Sequence, residues 1–121
     1  MLDVIYRALK SDDLISAVVG DRIKFYKFPQ PETLAQPCII IDPLDVDKPC
    51  DFASNKWTAR DYLYQIDVWS QDHTKTKEVS QRVEYMMWGL NFAQIGGIDE
   101  HDEDFNIYRD ARRYRGKVEV V

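Results

Sequence analysis

The chain reads as an α+β domain, with one mainly antiparallel sheet of about four to five strands packed against an N-terminal helix pair and one longer helix. Three observations carry that reading. Apolar residues recur at helical spacing near the N-terminus and again between residues 72 and 90. A period-two alternation runs through Ala59–Ser70 and returns near the C-terminus. The length of 121 residues, 45% of them hydrophobic, suits one core and not two, so residues 1–121 are expected to form a single domain.

Leu2, Ile5, Tyr6 and Leu9 fall at i, i+3, i+4 and i+7, one face of a first helix. Ser11 or Asp12 can cap a second, short helix carrying Leu14, Ile15 and Val18, and Gly20 supplies its C-terminal stop. Arg22–Lys27 then alternates as a short strand with Ile23 and Phe25 on one side. Phe28–Pro37 holds three of the five prolines and is expected to be an extended loop. The run Cys38-Ile39-Ile40-Ile41 reads as a strand covered on both faces.

Asp42–Trp57 shows no periodicity, and its 16 residues exceed the usual structureless connection. The expectation is a long loop serving as a partner-contacting arm. Ala59–Ser70 is the clearest strand, with Tyr62, Tyr64, Ile66 and Val68 on one face and Leu63, Gln65, Asp67 and Trp69 on the other. Asp72 or Thr74 can cap a helix reaching about Leu90, with Val79, Val83, Met86, Met87 and Leu90 as its apolar stripe. Met86, Met87 and Trp88 are read as core. Gly96 and Gly97 are expected to break the chain before two final strands, roughly Ile98–Glu103 and Arg109–Val120, where Tyr114, Val118 and Val120 share a face.

Net charge is −5, from 16 Lys and Arg against 21 Asp and Glu, the wrong sign for a domain that grips duplex DNA. Nothing approaches the ~20 apolar residues of a membrane helix, and Met1–Lys10 lacks the apolar run of a signal peptide. A cytosolic origin is expected, where Cys38 and Cys50 stay free thiols rather than a disulfide framework. Charge is segregated along the chain. Asp99–Asp104 holds five acids and one His, and Arg109–Lys117 holds five bases and one Asp. Such runs can neutralise each other within a hairpin or across a subunit boundary.

Candidates for chemistry are few. Asp99, His101 and Glu103 share one face of a strand, the only pattern resembling a metal site, but an acidic exposed strand is more simply a guarded sheet edge. His73 stands before the long helix without a nucleophile or an orienting partner. The five glycines form no phosphate loop and no dinucleotide fingerprint. Tyr108 and Tyr114 interleave with Arg109, Arg112, Arg113 and Arg115, a pattern that can track nucleic acid. The acidic run just before it argues instead for ion-paired strands or a subunit contact. No catalytic, cofactor-binding or metal residue is therefore assigned.

The order of segments carries a resemblance. A helix pair ends Leu14-Ile15-Ser16-Ala17-Val18-Val19-Gly20-Asp21-Arg22-Ile23, and a proline-bearing loop enters Pro37-Cys38-Ile39-Ile40-Ile41. Tyr64-Gln65-Ile66-Asp67-Val68-Trp69-Ser70 precedes the long helix, and the chain closes on Tyr108-Arg109-Asp110-Ala111-Arg112-Arg113-Tyr114-Arg115. Over nearly its whole length it resembles the tail-completion, or tail-to-head joining, proteins of long-tailed bacteriophages and prophages. The resemblance implies a non-enzymatic virion subunit of the tail or neck, assembled in the bacterial host cytoplasm without a cofactor. It also implies a homo-oligomeric ring, a hexamer, at the top of the tail tube, contacting the tube protein and the head connector while DNA passes through unbound. Ile39, Ile41, Ile66, Val68 and Trp69 take core roles in that picture.

From the loop and the charged runs, Asp45, Asp47, Lys48, Phe52, Trp57, Asp102, Glu103, Arg109, Arg112, Arg113 and Arg115 are the expected subunit-interface residues. A tail terminator, a head-side neck adaptor, or a non-viral cytosolic protein-binding or regulatory module would share the same broad features.

Overall fold

A computed structural model describes residues 1–27, 30, 34–53 and 56–119. Helices α1 (Leu2–Ser11) and α2 (Asp13–Val18) open the chain, followed by strands β1 (Ile23–Phe25), β2 (Cys38–Pro43), β3 (Lys48–Ala53) and β4 (Lys56–Ser70). Helix α3 (His73–Gly89) and strands β5 (Phe92–Asp102) and β6 (Ile107–Glu119) complete it.

The helix ends follow side-chain chemistry. Asp12 caps α2 by accepting the Ile15 N–H at 3.1 Å, and Asp72 caps α3 by accepting the Lys75 N–H at 3.0 Å. Gly20 stands at φ 59° just past α2, the left-handed position a glycine occupies without steric cost. Asp12 also reaches across to Arg82 at 2.7 Å, tying the short helix to α3.

The strands form one six-stranded sheet in the order β1-β2-β4-β6-β5, and β3 pairs with β4 as well. Among the described residues only β1–β2 is parallel, and every other pairing is antiparallel. The helices cover one face. Ile5, Leu9, Ile15, Val79, Val83 and Met87 from the helices meet Ile23, Ile39, Ile41, Ile66 and Val68 from the sheet, all of them buried. That burial drives the fold. On the other face a smaller cluster of Leu34, Cys38, Ile40 and Ile107 packs with Trp69, so β2 is covered on both sides as its β-branched run predicted. Of the expected loop Phe28–Pro37, residues 28, 29 and 31–33 lie outside the described residues, as does Val120.

Four expectations change. Among the described residues, Asp42–Trp57 holds the end of β2, all of β3 and the start of β4 rather than one long loop, and residues 54 and 55 lie outside them. The partners Pro43↔Tyr64 and Lys48↔Asp61 place four residues, 44–47, opposite two, so the chain jogs outward and then resumes pairing along the same edge of β4. That outward jog, followed by a hairpin, hides the alternation. Because β3 exists, the sheet has six strands among the described residues rather than four to five. Gly96 and Gly97 do not end a strand but lie inside β5, at a register shift. A Cβ on Gly97 would stand 2.2 Å from the Ala111 carbonyl oxygen, so glycine is what allows β5 to lie against β6 there. Finally, Met87 is buried but Trp88 is not; it points away from the core and is 72% exposed.

Candidate assembly interface

Two surfaces gather the interface residues expected from the sequence. The first is the β3–β4 hairpin, where Phe52 and Trp57 are cross-strand partners. Nearly every residue of β3 is exposed, and Phe52 is 69% exposed. Polar contacts stiffen this hairpin from below. Arg60 pairs with Asp47 in the jog and sits 5.1 Å from the centre of the Trp57 ring. Lys117 from β6 reaches Asp51 at 3.0 Å, and Lys48 lies 3.9 Å from Asp45. Exposed large apolar groups of this kind suit burial by a partner.

The second surface is the β5–β6 hairpin, and here the acidic and basic runs do meet. Arg109 holds Asp67 at 2.9 Å and Glu100 at 2.8 Å, with Trp69 stacked 5.1 Å away. Arg112 holds Asp110 at 2.9 Å and Glu84 at 2.8 Å, and Lys77 from α3 holds Asp110 at 2.9 Å and Asp99 at 2.6 Å. Burial pushes the Asp110 carboxyl up, but its hydrogen bonds from Arg112 and Lys77 outweigh that and hold it below the usual carboxylate range. Arg115 lies 3.6 Å from Asp61, whereas exposed Arg113 donates to Gln65 at 3.2 Å. Asp102 accepts the Asp104 N–H at 2.9 Å, within the turn. Neither Asp102 nor Glu103 forms an ion pair among the described residues. Arg109 and Arg112 thus brace their own subunit, while Arg113, Asp102 and Glu103 keep free charge at the surface.

Some features escaped sequence reasoning. Asp67 and Asp110 are buried, 2% and 3% exposed, and anchor the ion pairs of Arg109, Arg112 and Lys77. An acid centred in Gln65-Ile66-Asp67-Val68-Trp69 is the available clue, because an isolated carboxylate inside a strand needs a cation. Tyr85 and Trp88, one helical turn apart on α3, form a further exposed aromatic pair. Both histidines flank one ring: His101 stacks on Tyr108 at 4.4 Å and His73 meets it edge-on at 5.0 Å. Among the described residues, no group of three or more His, Cys, Asp or Glu is placed to hold a metal ion. No helix among them is long and apolar enough to cross a membrane.

The chain is thus a helix-backed, mainly antiparallel sheet with exposed apolar groups on one hairpin and charged residues on another. A family model described as tail completion protein gp17 matches residues 3–120, and the chain belongs to that family, a structural tail protein of phage-like virions. A chain in the solved virion of a native gene transfer agent particle is similar in fold, with a TM-score of 0.70 at 16% identity, over 96% of this chain and 92% of that one. No curated protein matches the sequence.

Proposed function

We propose that copies of this chain form a closed ring, a hexamer, at the top of the tail tube, completing the tail and joining it to the head connector. The observation that supports this reading is the family match over residues 3–120. The two surfaces give it a physical form. In this reading the β3–β4 hairpin is the arm that reaches a neighbouring ring, with Phe52 and Trp57 as its apolar anchors. DNA passes through without specific binding, because the net charge of −5 opposes retention of phosphate.

Removing the gene from its phage and separating the resulting particles on a gradient tests this. Unjoined heads and tails, rescued by adding the purified protein, are expected. Normal joining without the protein overturns the proposal, and copurification with the portal instead of the tail tube moves the ring to the head side.

A further inference from the structure

The jog at 44–47 lies beside Tyr62 and Leu63 of β4, between the partners Pro43↔Tyr64 and Lys48↔Asp61, and Leu44 donates to the Leu63 carbonyl at 2.9 Å. Leu63 and Tyr62 pair with Arg115 and Gly116 of β6, which pair in turn with Ala93 and Phe92 at the start of β5. The jog and the start of β5 therefore stand in the same two rows, at opposite edges of the sheet. Strand β1 ends short of those rows, its last residue Phe25 pairing with Ile41. Among the described strands the jog is thus the boundary of the sheet at this level.

Both edges show apolar groups to solvent at this level. Val46 in the jog is 81% exposed and Leu44 beside it is exposed as well. Across the sheet, exposed Trp88 at the end of α3 lines a cleft with Asp61, Phe92, Ala93, Arg115 and Lys117. The charges at the two edges are opposite in sign and loosely held. Asp45 lies 3.9 Å from Lys48, and Arg115 lies 3.6 Å from Asp61. Every other ion pair among the described residues closes to 3.0 Å or less. At 3.6 Å Arg115 falls short of a hydrogen bond to Asp61, whose buried Oδ1 has no hydrogen-bond partner among the described residues.

We infer that the jog of one copy seats in the Trp88 cleft of the next, where Leu44 and Val46 cover the indole and Asp45 reaches Arg115. This rests on the ring reading above and names its lateral contact. The two loosest ion pairs of the subunit are exchanged for one between subunits, and exposed apolar groups from both edges leave water together. A two-fold contact centred on the jog would set Asp45 against its own copy, and one centred on the cleft would set Arg115 against its own copy, so the head-to-tail contact is selected. Because the two features share the same rows, turning one copy about an axis along the strands makes the contact with little shift along that axis. A closed ring requires that, whereas a shift at every step would give a helical filament. The β3–β4 hairpin runs on along the same axis past these rows, which leaves Phe52 and Trp57 free for the neighbouring ring.

Paired cysteines test the contact in the full-length chain. In a Cys50→Ser background, Val46→Cys and Ala93→Cys are placed together. Within one subunit these edges are three strand spacings apart, about 14 Å, beyond the ~7 Å between Cα atoms that a disulfide tolerates. A crosslink between them must join two copies. A ladder ending in a closed, ring-sized product is expected from the double variant and not from either single variant. Separately, Asp45→Asn and Arg115→Gln should each raise the concentration for half-assembly about five-fold, and the two together by no more than either alone, because both remove one shared contact. A ring seen by negative stain without the ladder, equal crosslinking by a single variant, or charge effects that are absent or multiply overturns this contact and leaves the ring standing. A chain that stays monomeric both alone and on isolated tail tubes overturns both.

Discussion

Asp110→Asn removes one negative charge from a buried part of the ion-pair network with almost no change of shape. The side chain of Asp110 is 4% exposed and accepts from Lys77 Nζ at 2.9 Å, Arg112 Nε at 2.9 Å and Arg112 Nη2 at 3.2 Å. Breaking a buried pair and stranding the partner costs about 3–5 kcal/mol. Here the stranding is partial, because Lys77 keeps Asp99 at 2.6 Å and Arg112 keeps Glu84 at 2.8 Å. The expected loss is therefore about 2 kcal/mol, or roughly 8 °C in Tm for a domain of this size. Urea unfolding across pH measures it. The folded carboxyl titrates below its unfolded value, so its contribution is full above the ordinary carboxylate range and is lost as pH falls through the depressed folded value. The gap between the parent chain and Asp110→Asn should narrow on acidification below about pH 4. A gap under about 0.5 kcal/mol at neutral pH, or one that does not change with acid, refutes the reasoning.

Three further outcomes are expected. Gly97→Ala should lower stability by about 2 kcal/mol through overpacking against the Ala111 carbonyl, whereas Gly89→Ala, with nothing within 4 Å, should be neutral or slightly stabilising; thermal melts of the two variants decide it. Phe52→Ser should leave the melting curve within about 0.5 kcal/mol of the parent and reduce head–tail joining in a complementation assay, and normal joining would remove Phe52 from the arm. A thiol reagent at mildly alkaline pH should modify half-buried Cys50 quickly. Buried Cys38, whose thiol pKa burial pushes up, should react only after denaturant is added, so equal rates would contradict the burial.

The sequence was most legible where one physical effect dominated. Tyr64, Ile66 and Val68 alternate because that face of β4 meets the helices, and the stripe Val79, Val83 and Met87 appears because α3 lies on it. Asp12 and Asp72 announced their helices because a short acceptor satisfies the first free N–H groups. Periodicity failed where two effects overlapped. At 44–47 the jog shifts the phase of the strand, and β3 has no buried face to write an alternating pattern, so both looked like loop. Trp88 was misplaced because a bulky apolar residue beside the stripe carries the same compositional signal whether it enters the core or meets a partner. The charged runs were recognised as complementary. Their division into braces and free surface charge depends on register, which only the Glu100↔Arg109 and Gly97↔Arg112 pairings reveal.

The gradient of burial along β4 has a dynamic consequence. The strand begins at exposed Lys56 and Trp57 and ends among buried Ile66, Val68 and Ser70, so one continuous backbone crosses from solvent into the core. Opening of its first residues breaks β3–β4 pairs but exposes little apolar surface, whereas opening of its last residues requires the helices to separate. Amide hydrogen exchange should therefore slow by orders of magnitude from Thr58 to Val68 within a single strand. A joint built this way can let its tip conform to an uneven partner while the body keeps its shape. Any strain taken up at the tip fades before it reaches the residues that hold the subunit together.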